Sequence, residues 1–167
     1  MDMTTKAPRI DNRPQPFVDA GRQVRPKPAM EASEHDCVGL FRGAGLRPTR
    51  QRMMLGAILF GKGGRHITAE MLHAEAVEAD LQVSMATVYN NLKQLTGVGL
   101  LRQIGVDGSK SFFDTNPTTH HHFYVDHEDR LLDVPEPGVE IEQLPQPLPG
   151  YEISRVDVVV HLRRKQV

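Results

Sequence analysis

Prolines confine regular secondary structure to the middle of this chain. Of the 12 prolines in the 167 residues, five lie within residues 1–30 and five within residues 135–149. Because proline fixes φ and lacks a backbone N–H donor, neither segment can form a long helix or a central strand. Residues 1–37 are therefore predicted to be a flexible arm, and any helix near residues 139–144 must be short.

Composition excludes several classes of protein. The single cysteine, Cys37, cannot form an internal disulfide or a thiolate zinc site. No run approaches the roughly 20 apolar residues that cross a bilayer, and the N-terminus lacks the apolar stretch of a secretion signal. We expect a soluble, cytoplasmic protein with no membrane partner and, since tryptophan is absent, an aliphatic core.

Charge is distributed unevenly along the chain. Residues 38–116 hold nine basic and six acidic side chains, whereas residues 117–167 hold five basic and nine acidic ones. A basic part joined to an acidic part suits a polyanion-binding unit attached to a cation-binding unit. Chance scatter of surface charge explains this asymmetry equally well, so the motifs have to decide.

Apolar residues recur at helical spacing in three capped segments of the basic part. One helix is predicted at residues 50–60, a second ends near Ala79, and a third ends near Gly97. One or two helical turns at residues 38–44 precede them. A Ser or Thr that can accept a hydrogen bond from the first turn stands before each of the three: Thr49, Thr68 and Ser84.

After Gly97 and Gly99 the apolar period changes to that of strands. Residues 100–106 and 110–114 flank an Asp-Gly turn and predict a β-hairpin. A second hairpin is predicted from residues 121–126 and 130–134, and a final strand from residues 156–162.

Two short helices followed directly by a hairpin predict a winged helix-turn-helix at residues 38–116. The second of these helices would enter a DNA major groove, and the hairpin would touch the phosphate backbone. A helical packing unit with an ordinary solvated face is the alternative. The predicted DNA-contacting residues are Arg50, Thr87, Tyr89, Asn90, Lys93, Arg102 and Lys110.

Three consecutive histidines begin the acidic part. Because alternate residues of a strand face opposite ways, His120 and His122 project to one side and His121 to the other. The second hairpin brings Asp133 back across from them. Imidazole and carboxylate ligands suit Fe²⁺, Mn²⁺ or Zn²⁺ better than Cu(I), and they do not discriminate among the first three.

Three motifs together resemble the ferric uptake regulator superfamily of bacterial metal-responsive transcription factors. They are Gly-Leu-Arg-Pro-Thr-Arg-Gln-Arg at 45–52, Met-Ala-Thr-Val-Tyr at 85–89, and the histidines at 120–122. Within that superfamily, Phe-Asp-Thr-Asn at 113–116 and Gly-Tyr-Glu at 150–152 look most like the haem-responsive iron response regulator branch.

The resemblance implies an α+β fold in which the winged helix-turn-helix is followed by a small α/β dimerisation domain at residues 117–167. It adds His66 and Asp107 as metal ligands beside His120, His122 and Asp133. It also implies haem bound through the imidazoles of His120, His121 and His122. A homodimer would then bind double-stranded DNA at a palindromic operator.

Two positions depart from the superfamily pattern. Asn90 stands where many members have an arginine in the recognition helix, which suggests a changed base preference. Val125 and Glu128 stand where many members carry a Cys-x-x-Cys zinc pair, so that thiolate site cannot form.

We expect an iron-responsive, haem-sensing regulator, mainly a repressor, of iron and haem metabolism genes. The alternative within the superfamily is a zinc- or manganese-responsive regulator without a haem response. A metal-dependent hydrolase is the alternative from another class, since histidines and acids can also activate water. We expect that the protein is not an enzyme, because the sequence indicates neither an apolar pocket nor a separate general base.

Overall fold

The computed structural model describes residues 34–108 and 110–166. Residues 1–33, which make up most of the predicted arm, lie outside the described residues. The helices are α1 (Glu34–Gly43), α2 (Arg50–Phe60), α3 (Ala69–Glu78) and α4 (Met85–Gly97). The strands are β1 (His66–Ile67), β2 (Arg102–Asp107), β3 (Lys110–Asp114), β4 (His122–Val125), β5 (Arg130–Asp133) and β6 (Val159–Leu162).

The three predicted caps begin their helices as expected. The Thr49 side chain accepts from the N–H of Arg52, Thr68 from Met71, and Ser84 from Thr87. Each bond satisfies one of the backbone donors that the first turn of a helix leaves free. Helix α1 extends further than the predicted turns at 38–44 and begins inside the segment predicted as arm.

The helices enclose one hydrophobic core. It contains Phe41 of α1, Leu59 of α2, Leu72 of α3 and Leu92 of α4, all buried. Val88, Leu92 and Leu95 lie on one face of α4, which is the apolar face that their spacing predicts. The opposite face of α4 is left for solvent or for a partner.

The strands form two three-stranded sheets. In the first, β3 lies between β1 and β2 and is antiparallel to both. In the second, β4 lies between β5, which is antiparallel to it, and β6, which is parallel. We refer to residues 34–116, with the first sheet, as the helical module, and to residues 117–166, with the second sheet, as the strand module.

The hairpin of the helical module packs against the strand module. Ile104, Val106 and Phe112 form a buried cluster with Tyr124 and Leu131. The Phe112 and Tyr124 rings lie 6.1 Å apart. The two modules are therefore joined by an apolar contact as well as by the polar groups described below.

Prolines have the effect predicted for the segment before β6. No helix or strand occurs at residues 134–158, and the short helix suggested near 139–144 does not form. Strand β6 begins at Val159, three residues later than predicted. The α+β fold class is confirmed, and no helix in residues 34–108 or 110–166 has the length and apolarity to cross a membrane.

Candidate metal centre and nucleic-acid interface

Five metal-ligating side chains converge where the two modules meet. His66 and Asp114 come from the helical module, and His120, His122 and Asp133 come from the strand module. One ligand atom from each lies within 4.8 Å of the others. Three imidazole nitrogens and two carboxylate oxygens therefore face one small volume.

Backbone register explains most of this convergence. His66 pairs with Asp114 across the β1–β3 ladder, and His122 pairs with Asp133 across the β4–β5 ladder. Directly opposed residues of neighbouring strands place their side chains on the same face of a sheet. Each ladder thus contributes one histidine and one aspartate, and His120 adds a third imidazole two residues before His122.

The distances are those of groups arranged around a common point. Asp133 Oδ1 lies 2.9 Å from His66 Nε2, 3.1 Å from His120 Nε2 and 3.8 Å from His122 Nε2. Asp114 Oδ2 lies 3.0 Å from His120 Nε2, 3.4 Å from His122 Nε2 and 3.7 Å from His66 Nε2. Both carboxylates therefore face all three rings.

Because these atoms are buried, leaving them without a ligand is energetically unfavourable. Within residues 34–108 and 110–166, the Nε2 atoms of the three histidines and Oδ2 of Asp114 are inaccessible to solvent and have no hydrogen bond of acceptable geometry. The His122 side chain is 0 % exposed and that of Asp114 1 %, whereas Asp133 is 52 % exposed. Because buried polar atoms are normally satisfied, this arrangement fits a bound cation reached from the Asp133 side.

Neighbouring groups orient two of the ligands. His120 Nδ1 lies 2.9 Å from the Thr118 carbonyl oxygen, which can only accept, so Nδ1–H donates and Nε2 keeps its lone pair. Contact with His66, whose Nε2 lies 2.9 Å from Oδ1, holds the pKa of the Asp133 carboxyl below its usual range; burial opposes this shift, and the other nearby imidazoles add to it. Both effects prepare the groups for a cation.

Four of the five ligands predicted from the sequence and the resemblance meet in this cluster: His66, His120, His122 and Asp133. Asp107 is not a member, since it lies exposed at the end of β2, opposite Lys110. The cluster contains Asp114 instead. The available signal was an acid that ends an apolar strand and directly precedes the loop to the histidines.

His121 faces away from the other two histidines. Its Nδ1 accepts a hydrogen bond of 3.3 Å from the backbone N–H of Val158, beside β6. The alternation predicted for His120, His121 and His122 is therefore present. The three imidazoles consequently do not share one face of the protein.

Helix α4 presents the surface predicted to contact DNA. Tyr89 is 48 % exposed, and Asn90 and Lys93 are also exposed, whereas Thr87 is half-buried and hydrogen-bonded to Ser84. Arg50 is exposed in the first turn of α2. These five predicted residues lie on the two helices.

Sequence reasoning missed Arg52, which joins the same two helices. Its guanidinium donates to the side chain of Gln94 on α4 and to the carbonyl oxygen of Arg47. It therefore fixes α2 relative to the exposed face of α4. Its place in the motif at 45–52 was the only signal for it.

Arg102 and Lys110, the two DNA contacts predicted on the hairpin, do not both lie on the open surface. Arg102 is 5 % exposed and pairs with Asp157, so it cannot reach a phosphate and is removed from the DNA-contacting set. Alternation on β2 turns this residue inward together with Ile104 and Val106. Lys110 is partly exposed, and its ammonium forms an ion pair with Asp129 of the strand module.

Comparison with protein families gives one match over most of the chain. The model of the ferric uptake regulator family matches residues 43–161. Among characterised proteins, the peroxide-responsive repressor PerR of Staphylococcus aureus strain Mu50 is 29% identical over 130 residues. That alignment covers 75% of this chain and 86% of the relative.

Solved structures share the fold. The ferric uptake regulator of Pseudomonas aeruginosa with manganese has a TM-score of 0.60 and 24% identity, covering 81% of this chain and all of that one. A zinc-bound manganese uptake regulator has a TM-score of 0.55 and 19% identity, covering 75% of this chain and 97% of that one. At these identities the likeness extends to the fold alone.

Proposed function

This chain belongs to the ferric uptake regulator family, and from that premise we propose that the five-residue cluster is its regulatory metal site. Proteins of this family are metal-responsive DNA-binding transcription regulators and not enzymes, so the hydrolase alternative is set aside.

The position of the cluster between the modules carries the proposal. A cation held by His66 and Asp114 on one side and by His120, His122 and Asp133 on the other would tie the modules together. Metal binding that depends on the relative position of the two modules is coupled to DNA binding that depends on the same position. A coupling of about 1–3 kcal/mol changes DNA affinity by about 5- to 150-fold.

The number of donors, and not their type, is the reason for proposing Fe²⁺ or Mn²⁺ as the resident ion. The cluster offers three nitrogens, two oxygens and no sulfur. Structural zinc sites are almost always four-coordinate, whereas five donors with oxygen among them suit the larger coordination shells of Fe²⁺ and Mn²⁺. A zinc-responsive regulator of the same family is the competing form, and metal titration distinguishes the two.

Haem sensing and the iron response regulator branch rest on the resemblance alone. The fold separates the three histidines, because the Nε2 atoms of His120 and His122 face the cluster while His121 faces Val158. His122 is fully buried, so a porphyrin would have to open the cluster to reach it. We therefore propose the divalent cation as the primary effector and treat haem as an outcome of the test.

We propose that α4 reads DNA and that the strand module dimerises the cytoplasmic protein. Tyr89, Asn90 and Lys93 are placed for base edges and phosphates. In the part of the chain that the structure describes, strand β6 pairs with β4 along one edge only, so its other edge is available to a second copy. A two-fold dimer would bind a palindromic operator, and repression is the proposed output.

The deciding experiment is a DNA-binding titration of the full chain on promoter fragments from iron and haem genes. The protein is prepared stripped of metal or loaded with Mn²⁺, Fe²⁺, Zn²⁺ or haem. We expect Mn²⁺ or Fe²⁺ to change affinity at least about fivefold, and His122→Ala to abolish that change. Equal affinity in all five states contradicts the proposed function.

Two histidine variants separate the possible positions of haem. A Soret band that His122→Ala removes and His121→Ala leaves intact would assign haem to the cluster, while the reverse would assign it to the face on which His121 lies.

Lys93→Ala is expected to weaken DNA binding to all sequences alike and to flatten the salt dependence of that binding. An unaltered salt slope contradicts a phosphate contact at Lys93.

A further inference from the structure

Arg102 has no role in the function described so far, although it is a buried charge beside the metal cluster. It lies at the start of β2, directly opposite Asp114 of β3, and Asp114 in turn lies opposite His66 of β1. These three residues form one row across the first sheet. Arg102 therefore borders the half of the cluster that the helical module supplies.

The guanidinium of Arg102 reaches into the strand module. Nη2 donates to Oδ1 of Asp157, two residues before β6, and Nη1 donates to the carbonyl oxygen of Thr118. Asp157 is held from its other side by Arg155, whose Nε lies 2.5 Å from Oδ2. The fork of the arginine thus spans the junction between the modules with one arm on a side chain and one on the backbone.

Arg102 and the ligand His120 share the Thr118 carbonyl. His120 Nδ1 donates to this oxygen over 2.9 Å, and Arg102 Nη1 lies 3.3 Å from the same Nδ1. A carbonyl oxygen has two lone pairs and can accept both bonds. A continuous series of polar contacts therefore runs from Asp157 through Arg102 and Thr118 to the ring of a metal ligand.

We propose that Arg102 is a positioning residue that couples occupancy of the metal site to the placement of the modules. The inference rests on the proposed function, since it concerns regulation through the same site. Arg102 fixes the Thr118 carbonyl, which fixes the tautomer and direction of His120. The same guanidinium anchors Asp157, so a shift of the strand module and a turn of the His120 ring are one event.

The planar fork is the feature that this role requires. An arginine can direct two parallel N–H bonds in fixed directions, whereas a lysine in the same place supplies a single point charge. Hydrogen-bond partners of metal-binding histidines typically change metal affinity by about 10- to 100-fold when removed. The effect of Arg102→Lys should fall near the lower limit, because Thr118 still accepts from His120.

The test uses the full chain, Mn²⁺ as the metal and one promoter fragment. For each variant the Kd for Mn²⁺ is measured, together with the ratio of DNA affinities with and without Mn²⁺. The variants are Arg102→Lys, Asp157→Asn and their combination, with Lys93→Ala as a matched surface control. Asp157→Asn is nearly isosteric at a partly exposed site, which keeps the test valid if Arg102→Lys fails to fold.

We expect each of the two single variants to weaken Mn²⁺ binding by about tenfold and to bring the affinity ratio towards one. The double variant should be no worse than the more affected single variant, since both remove the same coupling. DNA binding without metal should stay within about twofold of the parent chain. Lys93→Ala should instead weaken both DNA affinities and leave their ratio unchanged.

Three results would overturn the inference. A parental ratio in both variants, with lowered thermal stability, would show that the ion pair is only structural. A loss of DNA affinity in Arg102→Lys without metal, together with a gain in Asp157→Asn, would return Arg102 to phosphate binding. If the parent chain itself shows no response to Mn²⁺, the proposed function fails first and the inference fails with it.

Discussion

Replacing Asp114 by asparagine tests the metal centre at the residue that sequence reasoning missed. Asp114 Oδ2 faces the Nε2 atoms of three histidines at 3.0–3.7 Å and is inaccessible to solvent. Its Oδ1 accepts a hydrogen bond of 2.8 Å from the backbone N–H of Asn116. An asparagine can keep that second bond while it removes the charge, so the fold without metal should survive.

The size of the effect follows from the number of ligands. Structural zinc sites bind with about 10–16 kcal/mol, and Mn²⁺ binds a given set of ligands more weakly than Zn²⁺, so an equal share among the five donors of this cluster is at most about 2–3 kcal/mol for each. We therefore expect Asp114→Asn to weaken Mn²⁺ binding by tens of fold, up to about 150-fold. Asp107→Asn, at an exposed position outside the cluster, should change it by less than about twofold.

Competition of Mn²⁺ with a fluorescent chelator measures both affinities, and thermal unfolding of the metal-free proteins controls for folding. Loss of affinity in Asp107→Asn, with parental affinity in Asp114→Asn, would refute the assignment of the cluster. Equal losses in both variants would mean that general negative charge, and not coordination, attracts the ion.

Three further predictions concern stability. Two hydrogen bonds from the guanidinium of Arg65 lower the pKa of Glu75 to about 2. The folding stability that this pair contributes is therefore present above about pH 4.5 and is lost as the pH falls towards 2. The unfolding free energy of Glu75→Gln should be about 1–2 kcal/mol below that of the parent chain at pH 7, allowing for solvent screening. This difference between variant and parent should become smaller below pH 4.5, and a difference that does not change with pH contradicts the prediction. Gly56→Ala should destabilise by about 1 kcal/mol in urea unfolding, because its Cβ would lie 2.5 Å from Phe41 Cζ and overpacking outweighs better helix propensity. Gly97→Ala, at the C-terminal residue of α4 and with nothing among the described residues within 4 Å of the added Cβ, should be neutral or stabilise by up to about 1 kcal/mol, and a loss there would discredit the packing explanation.

Local chemistry allowed the helices, their caps and the two hairpins to be predicted from the sequence. Thr49, Thr68 and Ser84 act within one helical turn, and the alternation that separates His121 from His120 and His122 acts within three residues. Such signals depend on neighbours in the chain and need no knowledge of the fold.

Tertiary structure decided which acids and bases meet. Asp114 joins the cluster because the two-residue strand β1 pairs with the end of β3, and so short a strand has no sequence signature of its own. Arg102 is a basic residue on the hairpin that was predicted to contact DNA, but packing of this hairpin on the strand module buries it against Asp157. Both outcomes depend on contacts between residues more than 40 positions apart, whose register is set by packing and not by local propensity.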